Sequence, residues 1–183
     1  MKTVLIVEDE KMIRQGIKTM IMRSGVPIET IMECNNGETA LEILKEQEID
    51  VMFTDIRMPK MDGIELVQKM QSLEHIPLTV AISGYDDFAY AVEMLRNGVR
   101  EYILKPIERE KITEILKKLN AEIESRKEKE ENNQKIGYQQ MRHLMLSDEI
   151  SGEEQRTIES QYADHFYTGN YYVCCQNQVK RGE

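Results

Sequence analysis

Five short apolar runs, each followed by a stretch of helical periodicity, constrain this chain of 183 residues more than any other feature. The runs are residues 3–7 (TVLIV), 29–34 (ETIMEC), the segment ending at Thr54 and Asp55, 78–82 and 101–104. The first is continuously apolar and β-branched, the pattern of a strand buried on both faces. Between the runs, Ile13, Ile17, Met20 and Ile21 recur at helical spacing until Gly25 and Pro27 stop them. Ala40, Leu41 and Leu44 follow the turn Asn35, Asn36, Gly37, and Val67 with Met70 mark a third helix. Phe88, Ala91, Val92 and Leu95 form the stripe of a fourth, capped by Asp86 or Asp87 and ended by Gly98. Strand and helix alternating in this way over about 120 residues imply right-handed crossovers and a parallel sheet. The expected class is α/β, a flavodoxin-like doubly wound sheet of five strands in the order 2-1-3-4-5, with an extended C-terminal helix.

In open sheets of this kind the functional crevice lies outside the carboxyl ends of the strands. Read by strand tips, the chain offers Glu8 and Asp9 after the first strand, Asp55 after the third, Ser83 after the fourth and Lys105 after the fifth. Order 2-1-3-4-5 makes the first and third strands neighbours, so three carboxylates meet at the switch point. Carboxylates at such range raise each other's pKa unless a positive charge sits among them. A hard divalent cation answers that need, and an all-oxygen site with few carboxylates suits Mg²⁺. Lys105 adds an ammonium and Ser83 a hydroxyl, the groups that neutralise and hold a phosphoryl unit. An ionised Asp55 can attack phosphorus and become an acyl phosphate.

Each residue also has a plain structural reading. Asp9 or Glu10 favours a helix N-terminus, and Asp62 with Gly63 is turn and cap chemistry. Lys105 before Pro106 is a surface lysine at a turn, Ser83 a turn residue, and Tyr102 a core or edge residue. What distinguishes the set is the joint placement at four strand tips of one sheet.

Composition narrows the function further. A net charge of −9 disfavours nucleic-acid binding by these residues, which requires a concentrated basic face. The cysteines, Cys34 and the adjacent Cys174 and Cys175, make neither a disulfide framework nor a zinc-ligand spacing. The apolar residues before Glu8 are too few for a signal-peptide core or a membrane span. A cytoplasmic protein without membrane contact is expected.

The last helix begins near Ile107 and carries Ile112, Ile115, Leu116, Leu119 and Ile123 on one stripe. Residues 126–135 (RKEKEENNQK) hold no apolar side chain, and 126–150 reads as a solvated helical linker, with Ile136, Met141, Leu144 and Met145 resuming helical spacing. The linker either transmits a change along the chain or pairs with a second copy as a short coiled coil. Residues 151–183 read as a helix to about His165 and a strand-like run YYVCCQNQV, a fragment or the start of a second domain.

The stretches VLIVEDE, TDIRMPKMDG, ISGYDDF and EYILKPI, in this order and spacing, resemble the signature stretches of the receiver domain of two-component response regulators. The resemblance covers residues 1–125. It implies that Asp55 is the phosphoacceptor, that Asp9 and Asp55 bind Mg²⁺ directly, and that Glu8 acts through water with the Arg57 backbone carbonyl completing the protein ligands. It further implies that Ser83 moves to the phosphate, that Tyr102 turns inward with it, that Lys105 pairs with the phosphate and that the bond to Pro106 is cis. Glu8 is a departure, because the family more often has Asp there. The wording DIRMP, SGYDDF and EYILKPI also resembles the YesN-like group, whose receivers are joined to an AraC-type DNA-binding domain. The implied partners are a sensor histidine kinase and a second copy, met through the face of the fourth helix, last strand and last helix or through the linker.

Two rivals stand beside this reading. One is a pseudo-receiver that only binds proteins. The other is a Mg²⁺-dependent phosphatase working through an aspartyl phosphate, although such hydrolases place a second acid two residues after the nucleophile, where this chain has Arg57. The resemblance implies a self-phosphorylating and self-dephosphorylating switch rather than an enzyme.

Overall fold

The computed structural model describes residues 1–84 and 88–146. Its contacts divide the chain into two units, Met1–Lys127 and Glu128–Glu183. The described part of the second unit is the continuation of one helix. The expected caps Asp86 and Asp87, and everything from 147 on, including the segment 151–183, lie outside the described residues.

In the first unit five strands alternate with helices: β1 Thr3–Val7, α1 Lys11–Met22, β2 Thr30–Cys34, α2 Gly37–Glu46, β3 Val51–Asp55, α3 Gly63–Met70, β4 Leu78–Ser83, α4 Phe88–Arg96, β5 Glu101–Leu104 and α5 Arg109–Leu146. All pairings are parallel and the order is β2-β1-β3-β4-β5, as the alternation requires. β3 and β4 are buried at every position, which explains why their sequences are apolar without alternation.

Alternate strand residues enter two separate cores, the consequence of a side-chain period of two. Val4, Ile6, Val51 and Phe53 face one side with Ile17 and Ile21 of α1 and Ile112, Ile115, Leu116, Leu119 and Ile123 of α5. Leu5, Val7 and Met52 face the other, with Ala40 and Leu44 of α2, Leu66, Val67 and Met70 of α3 and Met94 of α4. The α5 stripe read from spacing is the buried one.

Helix α4 differs from its expected stripe. Met94 is fully buried, whereas Val92 and Leu95 are exposed at 38% and 52%. In FAYAVEML apolar residues occur on more than one side, so periodicity alone does not choose the inward face. Helix α5 runs unbroken through the charged stretch to Leu146.

Candidate functional site

Register builds the site from the carboxyl ends of the strands. Val7 pairs with Thr54, so the residues after β1 and at the end of β3 are adjacent. Asp55 pairs with Ile82, and Ser83 with Leu104. The Lys105 N–H then donates to the Ser83 carbonyl at 2.7 Å, carrying the lysine to the same edge. Glu8, Asp9, Asp55, Ser83 and Lys105 are thus brought to one rim by backbone pairing alone.

Asp55 is 6% exposed and Glu8 and Ser83 not at all. Lys105 Nζ donates to Asp55 Oδ2 at 2.9 Å and lies 3.1 Å from Glu8 Oε2. Asp55 Oδ1 accepts the Ile56 N–H at 2.8 Å. Glu8 Oε1 accepts from the Glu10 N–H at 3.3 Å, while Oε2 is buried with the lysine beside it but no aligned hydrogen bond. Burial, and then the charge of Asp55, push the Glu8 carboxyl up from 4.5 to about 7 against the opposing pull of Lys105. The lysine is raised as well. Burial alone would lower it, but hydrogen bonds and charge from Asp55 and Glu8 favour its protonated form.

One oxygen from each of Glu8, Asp9 and Asp55 falls within a common span of 4.8 Å. Hard carboxylate donors and a buried acid oxygen without an aligned hydrogen bond fit a small divalent cation. An open depression of about 510 Å³ adjoins them, lined by Asp9, Ile56, Arg57, Met58, Pro59, Asp62 and Ile64.

The loop after β3 is held from several sides. Asp62 caps α3 by accepting from the Glu65 N–H at 2.8 Å, the role read for it from sequence. Gly37 N–H donates to the Met61 carbonyl at 3.1 Å, and Gly63 N–H to that of Ile56 at 2.8 Å. Glu10 stands at the N-cap of α1 without a side-chain cap bond, so the capping reading of that acid does not hold. Ser83 Oγ donates to the Gly84 carbonyl at 3.0 Å. Tyr102 is half-buried against the α2, α3 and α4 core, and among the described residues its buried hydroxyl has no hydrogen-bond partner. The Lys105–Pro106 peptide is cis.

Sequence reading passed over Arg14. Its guanidinium donates to the backbone carbonyls of Glu8 at 2.5 Å and Asp9 at 3.3 Å. A cation in the first turn of a helix opposes the macrodipole, and α1 has no acid there. That mismatch was the available signal, and Lys11 shares it.

The family profile for the response regulator receiver domain matches residues 4–117. The chain is similar to the uncharacterized transcriptional regulatory protein YesN of Bacillus subtilis, with 31% identity over 67% of this chain and 33% of that protein. Among solved structures it resembles the REC domain of AraT, a response regulator from Geobacillus stearothermophilus, at 34% identity and a TM-score of 0.60, over 68% of this chain and 97% of that one. It also resembles a two-component transcriptional regulator AraC from Clostridium phytofermentans, at 32% identity and a TM-score of 0.62, over 70% and 99% respectively. The matched part spans less than half the length of the curated relatives, 46% of a response regulatory protein of Vibrio cholerae being one example.

Proposed function

The chain belongs to the response regulator receiver family, and on that premise we propose that it is a phosphorylation-operated switch with Asp55 as the acceptor. The observation that carries this reading is the half-buried Lys105 ammonium, 2.9 Å from the Asp55 carboxylate and 3.1 Å from that of Glu8, at the tips of β1, β3 and β5. A carboxylate oxygen of Asp55 attacks the phosphorus of a phosphohistidine on a sensor histidine kinase. The P–N bond breaks, its electron pair returns to the imidazole, and Asp55 becomes an acyl phosphate.

Glu8, Asp9, Asp55 and the Arg57 backbone carbonyl are the groups that would hold Mg²⁺, Glu8 acting through water. When bound, the ion supplies charge neutralisation for phosphoryl oxygens. Lys105, already within hydrogen-bond reach of Asp55, takes a phosphoryl oxygen once the carboxylate is modified. Ser83 supplies a hydroxyl, and its displacement toward the phosphoryl group opens room for Tyr102 to turn inward.

The output face is that of α4, β5 and α5. Exposed Val92 and Leu95 on α4 and Leu104 on β5 give it apolar contact surface, which suits pairing with a second copy through this face or the helical linker of residues 126–150. Residues 1–125 act as the receiver, and 151–183 begin or form part of a further segment. Relatives named as transcriptional regulators support control of transcription through a DNA-binding domain outside these residues. No helix of the described residues is long and apolar enough to cross a membrane, in keeping with a cytoplasmic placement.

The test is intact mass after incubation with acetyl phosphate, with Mg²⁺ or EDTA, for the wild type and Asp55→Asn. One hydroxylamine-labile phosphoryl group, gained only with Mg²⁺ and Asp55, is expected. No gain from acetyl phosphate or from a kinase-borne phosphohistidine overturns the reading.

A further inference from the structure

Of the two residues after β1 that would serve the metal, Glu8 is buried with its N–H on the Cys34 carbonyl, whereas Asp9 beside it is exposed. Glu10, at the N-cap of α1, makes no side-chain capping bond that would fix the following turn. A loop free to rotate by a few tens of degrees would spread the carboxylates and cost affinity. We propose that Arg14 is a positioning residue for the metal site, its guanidinium clamping the backbone carbonyls of Glu8 and Asp9 so that their carboxylates stay aimed at Asp55. The proposal rests on the Mg²⁺ reading above and deepens it.

The geometry carries it in three steps. Arg14 Nη1 donates to the Glu8 carbonyl at 2.5 Å and the Asp9 carbonyl at 3.3 Å, one group spanning both peptide units. These two bonds go to carbonyls, so they engage none of the carboxylate oxygens of Glu8, Asp9 or Asp55. The guanidinium is itself oriented, since Arg14 Nε lies 3.7 Å from Glu33 Oε2 with both side chains less than one-fifth exposed.

Glu33, on β2, is anchored in turn. Lys18 Nζ meets its Oε1 at 2.5 Å, and Gln15 Nε2 donates to its Oε2 at 2.7 Å. Three residues of α1 thereby converge on one strand carboxylate, and the arginine among them reaches back over the loop. Because the β2 strand is in register with β1, Ile6 opposite Glu33, the anchor is part of the same sheet that delivers Glu8. The loop is tied to the sheet twice, through the Glu8 N–H on the Cys34 carbonyl at 3.2 Å and through this side-chain clamp.

Charge and positioning predict opposite signs. Removing a cation near a divalent metal would tighten binding by relieving Coulomb repulsion. Removing a group that orients ligands weakens it, typically by a factor of ten or more for outer partners of metal ligands.

The experiment is calorimetric titration of the full chain with MgCl₂, for the wild type, Arg14→Met, which keeps the aliphatic stem without donors, and Arg14→Lys, which keeps the charge without the planar fork. Urea unfolding in EDTA runs alongside. Arg14→Met is expected to bind Mg²⁺ about tenfold more weakly, and Arg14→Lys to remain at least about threefold weaker. At saturating Mg²⁺ the rate of modification by acetyl phosphate should return to the wild-type value, a split that general destabilisation would not produce. Equal or tighter binding by Arg14→Met, or full recovery by Arg14→Lys, overturns the clamp while leaving the metal site standing. Failure of the wild type to bind Mg²⁺ overturns the metal site itself and the clamp with it.

Discussion

Lys105 Nζ stands 3.1 Å from Oε2 of Glu8, a carboxylate with no exposed surface, and even so does not hold that acid in its ordinary range. Burial and the neighbouring Asp55 prevail, and Glu8 is pushed up to about 7. The metal-free protein therefore keeps a proton between pH 4.5 and 7 that the unfolded chain releases. This group's contribution to stability is complete below about pH 4.5 and is lost as pH rises through about 7. A divalent cation reverses the preference, because it binds the ionised form. The shift in melting temperature on adding Mg²⁺ should accordingly be larger at pH 8 than at pH 6, measured by thermal scans, and Glu8→Gln should flatten that dependence.

Removing the lysine should reveal what it offsets. In Lys105→Ala, Glu8 and Asp55 face each other at the rim without the ammonium between them, and breaking such a partnership costs about 1–3 kcal/mol. The penalty should be largest above pH 7, where Glu8 is ionised in the wild type, and should shrink at pH 6 as Glu8 takes up a proton. Urea unfolding of the metal-free proteins at the two pH values checks this, and an equal loss at both would contradict it. Added Mg²⁺ should narrow the gap at pH 8.

The sheet was legible because its central strands β1, β3 and β4 are buried on both faces. Runs such as TVLIV and VMFTD admit few other structures, and their tips then place Glu8, Asp9, Asp55, Ser83 and Lys105 without further information. The reading failed where apolar residues were plentiful without a single face, as in α4, in which Met94 rather than Val92 or Leu95 turns inward. It also missed Arg14, whose partners are backbone carbonyls and so leave no complementary side chain in the sequence. The first turn of α1 carries two cations, Lys11 and Arg14, and the sequence does not single out the second. By contrast, helix through residues 126–135 was expected from sequence, since the Lys, Glu, Gln and Arg around Asn132 and Asn133 are good helix formers that need no apolar stripe.

Cys34 tests the quality of burial beside the site. It is 7% exposed, and burial pushes its thiol up to about 11 despite a hydrogen bond at the Asn36 backbone and the nearby charge of Arg14. Because the thiolate is the reactive form, alkylation of Cys34 by iodoacetamide at pH 8 should be at least about a hundredfold slower in the folded protein than in urea. Peptide mass spectrometry resolves it from Cys174 and Cys175. Rapid labelling of Cys34 without denaturant would show that the β2 tip opens readily.

Gly63 offers the sharpest link between loop packing and the acceptor. Its backbone runs so close to β3 that a Cβ would lie 2.2 Å from the Asp55 carbonyl oxygen and 3.1 Å from both the Asp55 carbonyl carbon and the Ile56 Cα. These are backbone atoms of a fully buried strand end, so they cannot yield as a flexible side chain would. Replacing a glycine at the start of α3 by alanine ordinarily gains up to about 1 kcal/mol in helix propensity. Here overpacking against β3 outweighs that gain, and Gly63→Ala should destabilise the fold by about 2–3 kcal/mol. Any relief must come from moving either α3 or the peptide that carries Asp55. The variant should therefore also lose modification by acetyl phosphate at saturating Mg²⁺, beyond what its folded fraction explains. Urea unfolding paired with intact mass distinguishes the two effects. Wild-type stability in Gly63→Ala would mean that the helix stands farther from the acceptor than the structure shows.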